Sequence, residues 1–328
     1  MLRLITCFVL ALCLNTAICF GQDITFTQWQ SNLISLNPAY TGIGVTPQLH
    51  GVNRVNFTSF SGRDDFYMRT SGLQYDQRIS PKAGCFGISY INDYTGNIEL
   101  GNQSFYLHYA KDFIRDGDFH LRGGLSIGAI QHSIKGANMW YKDIQDPRTG
   151  AIFKHHRGFP SGRVFTSFKP NFNAGLSASF KNIYGGFAVN NFIEPIYSFA
   201  GNPTTVLRRR FAANAGAFLP FLSKNIVLNP YMVFQKQAMF TELTTGFNVN
   251  KGIFTGGIAY KLADPNANAI NLLLGISKGR IKAGYSLDYA PEAIFANTTH
   301  EFNLSFYFGT SEVEAEPRLA HYFRKMGF

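Results

Sequence analysis

The sequence is poor in charged residues and in cysteine, and it has no long apolar runs after its first residues. Asp, Glu, Lys and Arg make up 15% of the 328 residues, compared with about 25% in a typical soluble domain. Aromatic residues reach the same 15%, with 32 Phe and 16 Tyr. A water-soluble domain of this composition would expose large apolar patches. The composition therefore disfavours an ordinary soluble domain and favours a membrane protein.

After residue 20, no apolar run approaches the roughly 18 residues that a membrane-spanning helix needs. The mean hydropathy is −0.05, far below that of a helical membrane protein. A bilayer allows backbone groups to be paired only in helices or in closed barrels. We therefore predict a β-barrel, in which alternate residues face lipid and lumen and bring the mean hydropathy close to zero.

The N-terminus has the features of a signal peptide. Arg3 is followed by an uncharged apolar core at residues 4–20, and the small residues Cys19 and Gly21 precede Gln22 at positions −3 and −1. This pattern predicts export and removal of the signal peptide 1–21. An uncleaved anchor helix is the alternative, which the shortness of the stretch disfavours.

Cleavage would leave Cys85 as the single cysteine, so the fold is predicted to form no internal disulfide. Cleavage would also lower the net charge from +10 to +9 by removing Arg3. Export argues against a nucleic-acid partner. Anionic outer-membrane lipid or lipopolysaccharide suits the positive charge better.

Strict alternation of apolar and polar residues runs over eight or more positions in several segments, for example near 171–180 and 301–308. Alternation of this kind is typical of strands with one apolar and one polar face. The outward set is predicted to be Phe172, Leu176, Phe180, Phe302, Leu304 and Phe306, and the inward set Asn171, Asn173, Glu301 and Asn303.

Turn residues between these rows predict an all-β fold, a transmembrane antiparallel up-and-down barrel of about 14 strands. The predicted strands are 48–58, 66–77, 83–92, 98–112, 119–134, 170–181, 184–191, 209–219, 226–236, 240–249, 252–260, 268–277, 280–289 and 299–308. An even count puts both termini of the chain on the same side, predicted to be the periplasmic side. The two longest connections, 135–169 and 192–208, then fall on the outer side, as long barrel loops do.

The chain is thus divided into a signal peptide, a barrel and three further segments. Residues 22–47 are predicted to be a periplasmic or lumen segment, and residues 48–309 the barrel. Within the barrel, residues 135–169 are predicted to be a long extracellular loop. After the barrel, residues 310–328 are predicted to be a periplasmic tail.

The sequence shows no clear pattern of catalytic or metal-binding residues. It has no HExxH, CxxC or GxxxxGK[ST] motif, and the spacing of Ser, His and Asp selects no catalytic triad. Adjacent residues His155 and His156 cannot readily share one metal ion. Paired glycines such as Gly185-Gly186 suit barrel curvature or close packing better than phosphate binding. We predict a protein that is not an enzyme and needs no cofactor or metal.

Two N-terminal pieces, QDITFTQ at 22–28 and LNPAYTG at 36–42, resemble the start of mature proteins of the PorP/SprF family. Further pieces that agree in order are GISYIND at 87–93, DPRTG at 146–150, GYSLDY at 284–289 and THE at 299–301. The resemblance spans most of 22–308. The tail beyond Gly309 departs from it, and residues 52–65 lack a Trp-containing segment expected of the family.

The resemblance implies an outer-membrane protein of the type IX secretion and gliding-motility systems of Bacteroidota. It implies a non-enzymatic role in the export or surface attachment of large cargo such as adhesins. The implied partners are components of the type IX secretion machinery and the C-terminal sorting domains of cargo. A FadL-like or porin-like transporter of small molecules is the alternative, which an open lumen lined by charges would favour.

Two stretches are candidate partner-binding sites. The long loop contains Trp140, Tyr141 and Arg148, and aromatic and Arg side chains are common interface anchors. A lid folded over the barrel mouth is the alternative for this loop.

The N-terminal candidates are Asn37, Pro38 and Tyr40 of the LNPAYTG piece. They could form a turn that plugs or braces the periplasmic mouth of the barrel, or they could dock on the secretion machinery.

Overall fold

A computed structural model shows one closed β-barrel of 14 antiparallel strands. The structure describes residues 23–44, 46–58, 66–80, 82–95, 100–116, 118–135, 164–196, 206–220, 226–264, 268–291 and 298–308. The strands are β1 Gln48–Thr58, β2 Phe66–Ser80, β3 Gly84–Thr95, β4 Leu100–Asp116, β5 Phe119–Lys135, β6 Val164–Phe180, β7 Ile183–Asn190, β8 Arg210–Ala217 with its continuation Leu219–Pro220, β9 Ile226–Gln237, β10 Phe240–Lys251, β11 Phe254–Asp264, β12 Ala269–Lys278, β13 Ile281–Tyr289 and β14 Thr298–Tyr307.

Each strand pairs with its neighbours in sequence, and β14 returns to pair with β1 from Gln48–Tyr307 to Phe57–Thr298. Among the described residues, each of the 14 strands thus has a paired neighbour on both sides, as a bilayer requires of a spanning sheet. The predicted barrel of about 14 strands is confirmed.

The predicted faces of the strands are also confirmed. The six side chains predicted to face outward are 37–57% exposed. Of the inward set, Asn171, Glu301 and Asn303 are buried, and Asn173 is half-buried. The alternation therefore assigned the inward and outward side chains of β6 and β14 correctly.

The two ends of the barrel differ in the length of the connections between strands. At one end, here called the short-turn end, the connections have at most five residues. The other end, here called the long-loop end, includes the connections 136–163 and 191–209. This asymmetry is the one predicted for periplasmic and outer faces.

The predicted bounds of the long loop, 135–169, were wrong at both ends. β5 includes Lys135 and β6 begins at Val164, and these two residues pair with each other. Strand pairing continues beyond the apolar belt, where outward side chains no longer need to be apolar, so hydrophobic alternation does not mark the strand end.

β8 is interrupted at Phe218, which the alternation did not predict. The Phe218 side chain is buried and stacks on the Tyr184 ring, with 5.1 Å between ring centroids. Its amide donates to the carbonyl of Asn182, the residue directly before β7, and its inward side chain continues the alternation of β8. Pairing with β9 lapses opposite Asn229 and Pro230, because proline has no amide to donate.

The N-terminal residues 23–44, here called the lumen segment, lie inside the barrel. They contain one short helix, α1 (Leu33–Leu36), and a 3-10 turn at Pro38–Tyr40. In the described part of the chain no helix is long and apolar enough to cross a membrane. The segment begins near Gln237 at the long-loop end, where the Asp23 amide donates to the Gln237 side chain at 2.7 Å.

The lumen segment ends at the opposite end of the barrel. The Gly42 amide donates to Asp76, and the Gly42 carbonyl accepts from Cys85 Sγ at 3.7 Å; both wall residues lie at the short-turn end. The segment therefore runs the length of the lumen. The expectation that both ends of the chain lie at the periplasmic end does not hold for Asp23.

Candidate functional site in the barrel lumen

The turn formed by Asn37, Pro38, Ala39 and Tyr40 is docked on the inner wall near the short-turn end. Asn37 Oδ1 accepts from the Ala39 amide at 2.9 Å and so begins the turn. Asn37 Nδ2 donates to the carbonyl of Leu176 on β6 at 2.9 Å and of Phe187 on β7 at 3.3 Å. One side chain thus caps the turn and joins it to two strands, a use of Asn that its short amide permits.

Three wall glycines make room for this turn. A Cβ added at Gly124 would lie less than 3.0 Å from backbone atoms of Pro38 and Ala39, and one at Gly175 equally close to Asn37. A Cβ at Gly186 would lie 2.8 Å from Asn37 Nδ2 and from Tyr40 Oη. These strand glycines therefore permit close approach of the turn to the wall, and we call them the glycine seat.

Tyr40 ends the turn in a fully enclosed position. Its ring is 1% exposed, and its hydroxyl accepts from Asn214 Nδ2 on β8 at 2.7 Å. A buried tyrosine with a satisfied hydroxyl fixes position through both its ring and its oxygen.

An aromatic cluster lies beside the turn. The Trp29 ring meets Tyr231 edge-on at 5.5 Å between centroids and lies 6.5 Å from the Tyr184 ring. These rings join Leu36 and Tyr40 in one buried apolar cluster. The lumen near the short-turn end is therefore a packed core, unlike a water-filled pore.

Amide side chains connect the middle of the lumen segment to the wall. Gln30 Nε2 donates to Asn229 Oδ1 at 2.6 Å, and Gln30 Oε1 accepts from Asn248 at the same distance. Asn32 Nδ2 donates to Asn303 Oδ1 at 3.3 Å. The polar inner face of the wall thus binds protein at these positions.

Three inward arginines of the wall donate to carbonyl oxygens of the segment. Arg122 Nη2 donates to the Thr41 carbonyl at 2.6 Å. Arg210 donates to the carbonyls of Ile24 at 3.1 Å and Ser35 at 2.8 Å. The third arginine, Arg54, donates to the Thr25 carbonyl. Since a guanidinium carries five donors in a fixed planar arrangement, each can join the segment to other wall groups.

A buried group of charges surrounds the long-loop half of the segment. Glu301 is fully buried and accepts from the amides of Thr27 and Gln28, each at 3.0 Å. Arg54 lies 3.8 Å from Glu301 and 3.9 Å from Asp288. Such buried charges are tolerated when each has partners, and here the segment backbone supplies some of them.

Two small interior spaces lie beside the segment in the described part of the barrel. One cavity of about 70 Å³ lies between the segment and β3 to β8, with Asp23, Tyr106, His108 and Arg210 in its lining. A second, of about 10 Å³, lies beside Arg54. Neither volume could pass a folded cargo protein.

The pattern GxSxG of serine hydrolases does occur, at 124–128 and 275–279. Residues 124–128 lie within β5 and residues 275–278 within β12, so neither forms the strand-to-helix elbow that exposes a nucleophile. Ser126 Oγ and Ser89 Oγ lie 2.6 and 2.7 Å from the two ring nitrogens of His108. The two serines, on β3 and β5, thus provide hydrogen-bond partners for both ring nitrogens of this buried histidine on β4. Among the described residues no group of His, Cys, Asp and Glu could hold a metal ion.

The predicted N-terminal site residues Asn37, Pro38 and Tyr40 come together in the docked turn. In this arrangement they contact the barrel itself, so a partner would reach them only if the segment left the lumen. The loop candidates Trp140, Tyr141 and Arg148 lie outside the described residues. The prediction of partner binding at these two stretches stays a prediction.

Comparison with protein families gives one match, to the family described as type IX secretion system membrane protein PorP/SprF, over residues 18–306. The chain belongs to the PorP/SprF family. Membership and the barrel fold together place this PorP/SprF protein in the outer membrane. Both also resemble secretion and transport proteins that are not enzymes. Comparison with curated proteins found no relative.

Several solved outer-membrane barrels are similar in fold to this PorP/SprF protein. A FadL homologue of Pseudomonas aeruginosa has 13% identity and a TM-score of 0.53, covering 88% of this chain and 100% of its own. The CymD monoaromatic hydrocarbon channel has 12% identity and a TM-score of 0.50, covering 86% and 94%. Omp33 of Acinetobacter baumannii has 9% identity and a TM-score of 0.47, covering 80% and 98%. At these identities the likeness concerns the fold alone.

Proposed function

We propose that this barrel is an accessory outer-membrane component of type IX secretion in Bacteroidota. It supports the export or surface attachment of large cargo proteins such as adhesins. Its partners are components of the secretion machinery and C-terminal sorting domains of cargo. It acts through its exposed faces and does not conduct cargo through the lumen.

The observation that carries this proposal is the lumen segment. A transporter of small molecules needs a path through the wall or lumen, whereas here a protein segment runs from the long-loop end to the short-turn end. Membership in the PorP/SprF family supports the link to type IX secretion. The FadL-like or porin-like alternative has support from the fold alone.

Deletion of the gene, followed by proteomics of the cell surface and the medium, tests the proposed role. We expect proteins with type IX sorting domains to leave the surface or to accumulate inside the cell, with restoration by the wild-type gene. An unchanged surface proteome, together with loss of uptake of a small apolar compound, would favour the transporter instead.

The long loop is tested by replacing Trp140 and Tyr141 with Ala. We expect normal barrel assembly with weakened cargo retention or export, because these residues offer aromatic anchors. Ile253→Ala, in a short turn at the opposite end, is the control and should retain cargo. Normal cargo levels in the loop variant would remove the loop from the mechanism.

The orientation of the barrel is tested by cysteine labelling. Cys85 is buried, so it gives little background. Met239, at the long-loop end, is 73% exposed, and Met239→Cys should react with a membrane-impermeant maleimide on intact cells. Lys278→Cys, at the short-turn end, should react only after the outer membrane is permeabilised. The reverse pattern would place the long-loop end in the periplasm.

A further inference from the structure

The connection between β7 and β8 presents apolar side chains at the long-loop end of the barrel. Phe192, Ile193 and Ile196 are 46–55% exposed, and Met239 of the neighbouring turn is 73% exposed. Ile196 forms a bridge with Val206, so the two described parts of this connection are held together.

Two arginines lie among these apolar groups. The Arg209 guanidinium lies 5.7 Å from the Phe192 ring centroid, and its Nε donates to the Phe192 carbonyl at 2.9 Å. Glu194 accepts from the Arg209 amide at 3.2 Å and lies 3.7 Å from Arg208 Nη1. Asn191 and Glu194 have left-handed backbone with φ of 57° and 46°. Such backbone persists where surrounding contacts fix it.

The lipid-facing wall lies directly below this connection. The outward rings of Phe187 on β7 and Phe211 on β8 stack with 6.5 Å between centroids, and Phe234 on β9 is exposed beside them. Lys236 is the next outward residue on β9, is exposed, and pairs across the sheet with Phe211. The outward side chains of β9 therefore change from apolar to positively charged between Phe234 and Lys236.

We call this surface the β7–β8 rim. It consists of Phe192, Ile193, Ile196, Arg208, Arg209, Lys236 and Met239. The residues of the rim include three cations, and the adjoining Glu194 lies 3.7 Å from Arg208 Nη1, so the surface is positive. Cations above an apolar belt match a lipid whose headgroup is anionic and whose chains are apolar.

We propose that the β7–β8 rim binds lipid A of the outer leaflet. Arg208, Arg209 and Lys236 bind the phosphate groups, and Phe192 and Ile193 contact the upper parts of the acyl chains. A guanidinium binds phosphate through two parallel hydrogen bonds, and a lysine adds a point charge. The site requires the long-loop end to face outward, which the labelling of Met239→Cys tests independently of lipid.

Titration of the full-length protein in detergent with bisphosphorylated lipid A, followed by native mass spectrometry, tests this site. The variant Arg208→Ala/Arg209→Ala should bind lipid A about tenfold more weakly, because several charge-assisted hydrogen bonds are lost. Lys251→Ala/Lys278→Ala, which removes two exposed cations at the short-turn end, is the matched control and should bind like wild type. Equal weakening in the control would overturn the proposal.

Three further titrations distinguish binding of lipid A from binding of other lipids or of free phosphate. Lipid A stripped of its phosphates and phosphatidylglycerol should both bind more weakly than bisphosphorylated lipid A, and inorganic phosphate should not displace it. Equal binding of the stripped lipid, equal binding of phosphatidylglycerol, or displacement by inorganic phosphate would each overturn the proposal. If the double variant fails to fold, Lys236→Ala replaces it and should still weaken binding.

Discussion

The two halves of the lumen hold the same segment by different means. Near the short-turn end the turn Asn37–Tyr40 fits the glycine seat, and the contacts depend on shape. Near the long-loop end, residues 23–28 are held by Arg54, Glu301 and other charged groups. A closely packed contact allows few alternative arrangements. A charged side chain, in contrast, can exchange one charged or hydrogen-bonding partner for another.

The difference suggests which half of the segment can respond to a partner. Residues 23–28 meet buried charges that must always be paired, and another protein could supply that pairing. The turn Asn37–Tyr40 could not be exchanged without opening a cavity against the wall. We therefore expect the long-loop half to be the more mobile of the two when the protein meets its partners.

The largest expected effect is that of Arg54→Ala. Loss of the guanidinium leaves Glu301 and Asp288 with less positive charge nearby, which should destabilise the folded barrel by about 3 kcal/mol. Hydrogen exchange should become faster in residues 24–28 and stay unchanged in residues 37–43. Arg69→Ala, an exposed arginine on the neighbouring strand, is the control. Equally faster exchange in both halves would show that the halves are not separate.

A smaller effect is expected when the glycine seat is filled. The Cβ of Gly124→Ala would meet backbone atoms of Pro38 and Ala39, so urea unfolding in detergent should show a loss of about 1–3 kcal/mol. At Gly256 the nearest atom to an added Cβ is 4.0 Å away, and Gly256→Ala should unfold close to wild type. Equal stability of the two variants would mean that the turn does not need the seat.

The smallest effect should come from Tyr40→Phe. This change removes the oxygen that accepts from Asn214 and should cost about 1 kcal/mol by the same urea measurement. Tyr109→Phe removes a hydroxyl that donates to the Ala83 carbonyl at the exposed surface, where water can replace it. A larger loss for Tyr109→Phe than for Tyr40→Phe would contradict the importance of the buried hydroxyl.

The sequence was sufficient to predict the wall of the barrel but insufficient to predict its contents. Alternation along β6 or β14 is a local property, so faces and strand count could be read directly. An inward Arg54 or Asn303 fits a polar lumen filled by water equally well. Only the folded chain shows that protein atoms satisfy them.

The site candidates illustrate the same limit. Asn37 and Tyr40 were found through a resemblance to a family, and the sequence left open whether they plug the barrel or dock on a machine. Gly186 belongs to a glycine pair for which the sequence predicted barrel curvature or close packing, and it packs closely against the turn, although no sequence feature pointed to Gly175. The contact between Asn37 and Leu176 spans 139 residues, and no local pattern reports such a distance.

The path of the lumen segment also constrains the order in which the barrel assembles. The segment precedes β1, yet Thr27 is held by Glu301 on β14, 274 residues later in the chain. Contacts this remote form late, because the intervening chain must first be arranged. Until β14 arrives at β1, the long-loop half of the segment lacks its main acceptor. The contacts of residues 27 and 28 with Glu301 can therefore form only once β14 is in place.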